Sequence, residues 1–200
     1  GEVDDSVDLY PDITVGRAPA ENVADARAFV NKLLRYERSP SPAYLDNVLF
    51  FAEVMWSNPY TDGGVHKDRL ENASFPTGQE VTKLYERLGN ESRTSVMAGM
   101  RQGQNFLNHD GHGWIDVMSC GSSSMRTRDC DTITNPDHGI LYSLGCWTTA
   151  FDQNSIGEAW VNNPNGGGVA TIGNSSYGWG SPGNAGFGYS DKFDDRFWWA

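Results

Sequence analysis

Basic side chains are scarce in this sequence: 15 Lys and Arg stand against 26 Asp and Glu, a formal net charge of −11. A surface of that sign repels phosphate, so nucleic acid is not an expected partner; it suits a cationic substrate, bound calcium or a soluble secreted protein. Long apolar runs are also missing. None approaches the length of a membrane span and no signal peptide is present, so no membrane partner is expected. The chain does not open with Met, which reads as a processed product with its targeting segment elsewhere. Cysteine is limited to Cys120, Cys130 and Cys146, and without a Cys-x-x-Cys pair a zinc ribbon is not expected. Cys120 and Cys130 flank CGSSSMRTRDC, a separation a disulfide closes easily. That pairing leaves Cys146 as an odd thiol, which in a secreted protein suggests reactivity. Three buried thiols in a cytosolic protein are the alternative.

What is present reads as one globular domain. Two hundred residues with 38% hydrophobic content can bury a core, and no linker or repeat divides residues 1–200. In ENVADARAFVNKLLRYER, Ala26, Phe29, Val30, Leu33 and Leu34 recur at helical spacing, and SPSP closes the helix. TGQEVTKLYERLG predicts a second helix: Thr77 and Glu80 as a capping box, Val81, Leu84, Tyr85 and Leu88 on one face, Gly89 as the stop. SVMAGMRQG and SIGEAWVNN are weaker helices. ITVGR, NVLFFAEVM, NFLNH, GILYSLG and GGGVATIG read as strands, NPYTDGGVHKD as a loop, and the stretch from Asn174 onward has no clear period. Strands alternating with helices predict an α/β fold, a mostly parallel sheet with helices on both faces. Functional groups gather beyond the carboxyl ends of such strands. Glu53, His112, Cys146 and Asn174 all fall there.

A thiolate attacks carbonyl carbon, and a nearby imidazole both activates it and protonates the leaving amine. His112 sits between Gly111 and Gly113, where the backbone can approach a substrate closely; Cys146 follows Gly145, leaving its N–H open to an oxyanion. Taken singly, His112 is as well read as a turn residue and Cys146 as a small hydrophobe. His109, Asp110 and His112 also form a strand-end His-Asp-x-His suggestive of a metal-dependent hydrolase, though His66 and His138 are isolated.

A hydrophobic block ending in His-Gly, followed by a second ending in Cys, resembles the caspase-like cysteine peptidases. Within that clan the chain resembles the gingipain (C25) family over nearly its whole length, through DLYPDITVGR, NFLNHDGHG, YSLGC and GGGVATIGNSSYGWG in that order. The resemblance implies a caspase-like, Rossmann-like α-β-α sandwich and an endopeptidase cutting after Arg or Lys. It makes Cys146 the nucleophile, His112 the general acid, and the N–H groups of Gly113 and Cys146 the oxyanion hole. It gives Glu53 the orientation of the histidine, Asp68 (with Asp62 next) the basic substrate side chain, and Trp179 the cover over that side chain. The acidic opening, with Glu2, Asp4, Asp5 and Asp8, is similar to an aspartate-rich, calcium-suited loop. No cofactor is implied for the chemistry, and the expected location is extracellular or cell-surface. The family's upstream subdomain has no counterpart here and FWWA resembles the middle of a helix, so another fragment of a processed precursor is an expected partner beside the peptide or protein substrate. An inactive homologue serving as a binding domain is the competing reading.

Overall fold

The structure, a computed structural model, describes Ile13 and residues 15–199. Its element order is α1 (Val23–Arg38), β1 (Asn47–Ala52), β2 (Val54–Ser57), β3 (Tyr60–Asp62), α2 (Gly63–Ser74), β4 (Glu80–Tyr85), α3 (Arg93–Arg101), β5 (Phe106–Asp110), β6 (Gly113–Trp114), β7 (Val117–Cys120), β8 (Ser123–Arg126), α4 (Thr127–Cys130), β9 (Ile140–Ser143), α5 (Ile156–Asn162), β10 (Ala170–Gly173) and α6 (Tyr189–Trp199). Five strands form one parallel sheet in the order β10-β9-β5-β1-β4. The chain is therefore the α/β sandwich its alternation predicts. β1 is buried almost throughout, as its unbroken apolar run requires of a central parallel strand.

Two cores sandwich the sheet. On one face Leu49 and Phe51 of β1 pack with Val96, Met97 and Met100 of α3 and with Ile156, Trp160 and Val161 of α5. On the other, Val48, Phe50 and Ala52 pack with Leu70 of α2, Tyr85 and Trp198 of α6. Helix α1 starts where Asn22 caps the N–H groups of Ala24 and Asp25. Its predicted apolar face is only partly used. Phe29 packs against the first core, whereas Val30, Leu33 and Leu34 stay exposed. The helix is instead anchored by buried Lys32, whose ammonium donates to the carbonyls of Val161, Asn163 and Gly166. Burial lowers its pKa to about 8.

Three sequence expectations fail in this part of the molecule. TGQEVTKLYERLG is the edge strand β4, paired in parallel with β1 from Asn47↔Glu80 to Ala52↔Tyr85. The supposed helical face divides between the two cores: Val81 and Tyr85 join one, Leu84 the other. Second, the helix lies just upstream, as α2, in the stretch that reads as a loop. Third, Val15–Arg17 of ITVGR form no strand.

Helices α2 and α6 are tied together by charge. The Lys67 ammonium, fully buried, donates to Asp194 Oδ2 at 2.6 Å and lies 3.6 Å from Asp110 Oδ2. Asp194 Oδ1 also accepts from Asn108 Nδ2 at 2.6 Å and Trp198 Nε1 at 3.0 Å. Removing one member of a buried, hydrogen-bonded pair strands the other charge, typically at about 3–5 kcal/mol. Lys67→Met is expected to lower the unfolding free energy by about that amount in urea titration. Lys67→Met combined with Asp194→Leu, which removes both charges, is expected to recover part of the loss.

Candidate active site

Strand β5 ends at Asp110 and the chain turns through Gly111, His112 and Gly113 into the β6–β7 hairpin. The turn is pinned from below by Glu53, which follows β1: its Oε2 accepts the His112 N–H at 2.7 Å, and its own N–H donates to Asp110 O at 3.0 Å. Glu53 thus holds the histidine through the backbone, not the ring. Burial raises its pKa to about 7, against the opposing pull of the His112 N–H. The His112 Nε2–H donates to Met55 O at 3.2 Å, which leaves Nδ1 as the free lone pair. Ser119 N–H donates to His112 O at 2.9 Å. The alternation of an antiparallel ladder then turns the next residue's N–H, that of Gly113, out of the hairpin.

The second half is the turn after β9. A Cβ on Gly113 would stand 2.6 Å from Thr148 Cγ2 and 3.0 Å from Cys146 O, so only glycine lets the histidine turn meet the cysteine turn this closely. The Cys146 N–H makes no hydrogen bond to any described residue. Trp147, at φ 59°, occupies the left-handed region that side chains disfavour, a strain the surroundings must hold. They do so from the loop beyond β10. Asn174 Nδ2 donates to Leu144 O at 2.8 Å, Ser176 O accepts the Trp147 N–H at 2.7 Å, and the Gly178 N–H reaches Cys146 Sγ at 3.3 Å.

His109 joins the halves. Its ring is fully buried, stacked on Phe51 at 4.9 Å. Nε2–H donates to Ser119 O at 3.2 Å; Nδ1 accepts from Ser143 Oγ at 2.9 Å. That hydroxyl in turn accepts the Gly145 N–H and the Thr148 hydroxyl. One neutral imidazole therefore links the hairpin after His112 to the turn that carries Cys146. Burial lowers its pKa to about 4.

His112 and Cys146 face a cavity of about 140 Å³ whose lining includes Met55, Trp56, Asp110 and Asp191. Among the described residues, no Lys or Arg lines it. Asp110 is already engaged by His66 Nδ1 at 3.0 Å and by Lys67, which hold it ionised. Asp191 accepts the Gly188 N–H at 2.8 Å and lies 3.8 Å from His66; burial, then Asp110, raises its pKa. His66, Asp110 and Asp191 also have the spacing of metal ligands, alone among the described residues. Metal does not suit them: His66, with carboxylate partners on both nitrogens, has its pKa raised to about 9, and the Lys67 ammonium already supplies the cation.

The family model for peptidase family C25 matches residues 1–200, the whole chain. The chain belongs to peptidase family C25. Its fold is similar to the Arg specific cysteine proteinase gingipain R, with TM-score 0.66 and 18% identity over 76% of this chain and 37% of that one. It is similar also to the complex of Porphyromonas gingivalis RgpB pro- and mature domains (0.73, 20%, 88% and 43%) and to a further protease structure (0.67, 19%, 80% and 36%). This family member thus spans 36–43% of those chains. No protein of curated function matches it in sequence.

Other sequence expectations fare differently in this C25 member. Asp68 and Asp62 do not line the cavity. Asp68 is bound by Lys83, Arg87 and the Tyr85 hydroxyl, and Asp62 caps α2 and pairs with Arg87. Trp179 is 63% exposed; its neighbours Gly178 and Gly180, not its ring, line the cavity. Cys120 and Cys130 are free, buried thiols within one core, so no disulfide leaves Cys146 odd. Burial pushes the Cys120 thiol up to about 12 and the Cys130 thiol higher still. Cys146 is set apart by its partly exposed sulfur turn instead. His109 and Asp110, each satisfied elsewhere, do not converge with His112 on a metal. The acidic opening with Glu2, Asp4, Asp5 and Asp8 lies outside the described residues. Asp191, by contrast, lies in the stretch without period, where no sequence signal singles it out.

The depressed pKa of His109 has a pH signature. Between its unfolded value near 6.5 and about 4, the unfolded chain takes a proton that the fold refuses, so this group's contribution to stability falls as pH falls. Compared with His109→Gln, wild type is expected to lose on the order of 3 kcal/mol more of unfolding free energy from pH 7 to pH 4. Denaturant titrations across that range check it.

Proposed function

We propose that the chain is the nucleophile-bearing part of a cysteine endopeptidase that cuts after Arg or Lys. The observation that carries this is the packing of Gly113 against Gly145 and Cys146, which sets imidazole and thiol on one cavity with acidic groups in its lining. Cys146 loses its proton to the free Nδ1 of His112. The sulfur attacks the scissile carbonyl carbon, and the carbonyl oxygen takes the electron pair between the N–H groups of Gly113 and Cys146. When the intermediate collapses, the C–N bond breaks and the amine departs with the proton from His112. Water then hydrolyses the thioester, with His112 as base.

A preference for a basic residue is supported by charge. Of the two cavity carboxylates, Asp110 is neutralised by His66 and Lys67, which leaves Asp191 to meet a substrate cation. This assigns to Asp191 what the resemblance gives to Asp68 or Asp62. Trp179, exposed on the loop before α6, would cover the bound cation in the role the resemblance gives it. The active protein includes a companion fragment as partner, consistent with the share of its relatives that the chain spans. Its setting is extracellular or cell-surface; no described helix is long and apolar enough to cross a membrane.

Two substitutions test the reading with fluorogenic Arg and Lys reporters, in protein containing any companion fragment. Cys146→Ala is expected to abolish hydrolysis and covalent labelling by an arginyl chloromethyl ketone; full turnover would reject the nucleophile. Asp191→Asn, which keeps the acceptor for Gly188 N–H, is expected to lower kcat/KM about 10- to 100-fold for both reporters.

A further inference from the structure

Four aromatic rings stand in a row beside the reactive sulfur. Trp114 and Trp147 lie 5.7 Å apart between ring centroids, Trp147 and Tyr177 5.7 Å, Tyr177 and Trp179 6.3 Å. Trp114, Tyr177 and Trp179 are 47%, 56% and 63% exposed, and Trp147 is half-buried between its neighbours. None of the four carries a cation on its face among the described residues. Their placement follows the chemistry closely. Trp114 comes directly after Gly113, Trp147 directly after Cys146, and Tyr177 directly before Gly178, whose N–H reaches the sulfur. Each backbone group around the thiol therefore has one of these rings as its chain neighbour.

We propose that the row Trp114–Trp147–Tyr177 is a subsite for an apolar, aromatic or branched aliphatic, side chain adjoining the basic residue of a peptide substrate. The proposal rests on the peptidase reading. Its occupant is argued from the residues beside the rings: Cys146 and Gly178, the chain neighbours of Trp147 and Tyr177, line the cavity, so a peptide held at the sulfur would extend beside them. Exposed aromatic faces this close together mark a binding surface rather than a packing remnant. Its charge differs from that of the cavity. The carboxylate left to attract a cation, Asp191, lines the cavity, and the row consists of rings alone. A cationic side chain thus goes to the cavity and an apolar one to the row.

The test compares acyl-arginine reporters with no flanking residue against peptides carrying Leu, Phe, Ser or Glu on either side of Arg. Wild type is expected to favour Leu or Phe over Ser at one flanking position by about tenfold or more in kcat/KM. In Trp114→Ala/Tyr177→Ala that preference is expected to shrink to about threefold or less. An equal preference in the variant, or a wild-type preference for Ser or Glu, overturns the subsite. Tyr177→Ala alone changes an exposed loop side chain and keeps the comparison open if the double variant does not fold. If wild type cuts neither reporter type, the peptidase reading has failed and the subsite is judged by binding. Leu and Phe peptides should then shift the tryptophan fluorescence of Cys146→Ala more than Ser peptides do. Loss of that difference on adding Tyr177→Ala supports the subsite; its persistence, or no difference at all, overturns it.

Discussion

The bridge made by the neutral ring of His109 is the constraint on which the site depends. A parallel sheet delivers strand ends to one edge, but it does not fix the loops that leave those ends. Here β5 and β9 are neighbours, paired through His109↔Ser143, so the last turn of each begins at a known height. Above that level, order comes from hydrogen bonds of side chains with backbone. Ser143 Oγ receives the Gly145 N–H, passes its own proton to His109, and His109 passes another to Ser119 O. Every polar atom of the ring is satisfied, as a group with no access to water requires. A protonated ring would have no acceptor lone pair for Ser143, and burial already disfavours that form. The same desolvation that makes the ring useless as a general base makes it dependable as a strut.

The layer below solves a different problem. A cavity lined by carboxylates stays free of the protein's own bases only if those bases are paired elsewhere. The structure turns Lys67 and His66 inward, against Asp110, Asp194 and Asp195, where they bind α6 to α2 and the sheet. Arg69 completes the set from the surface, 2.7 Å from Asp195. Buried pairs of this kind contribute little net stability over apolar packing, but they fix geometry, since each charge is acceptable only opposite its partner. Asp191 is set in the same helix and so inherits its position from that network. Burial, then the neighbouring Asp110, pushes its pKa up.

What was legible in the sequence follows from the range of the forces involved. β1, β5 and β9 announced themselves because burial on both faces demands largely apolar runs, and His112 and Cys146 stand just past the ends of two of those runs. β4 did not, because an edge strand that feeds two cores spaces Val81, Leu84 and Tyr85 as a helix would. Helix α2 was hidden by its own start. Gly63 and Gly64 read as loop, yet a Cβ on Gly64 would stand 2.8 Å from the Tyr85 ring, so the glycines reflect close packing rather than a turn. Asp62, before them, is the N-cap. The disulfide failed because chain separation permits a bond without requiring one; Cys120 and Cys130 serve the core. Asp68 lies off the cavity, paired with Lys83 and Arg87, and local order along the chain says nothing of which carboxylates are already taken.

Glu53 shows how backbone and charge divide the work at the site. Its oxygen accepts the His112 N–H whether or not the carboxyl carries a proton, so the histidine turn keeps its place through that titration. The field at the imidazole does change. An ionised Glu53 places a negative charge beside the histidine turn, and a neutral one does not. Glu53 therefore separates two functions that are often merged in one residue. Placement is constant, because it rests on a bond to the main chain. The electrostatic contribution varies with pH, because it rests on a carboxyl whose pKa burial has raised to about 7. The glycines at 111 and 113 make that arrangement feasible, since a Cβ on Gly111 would stand 2.9 Å from the Glu53 oxygen itself.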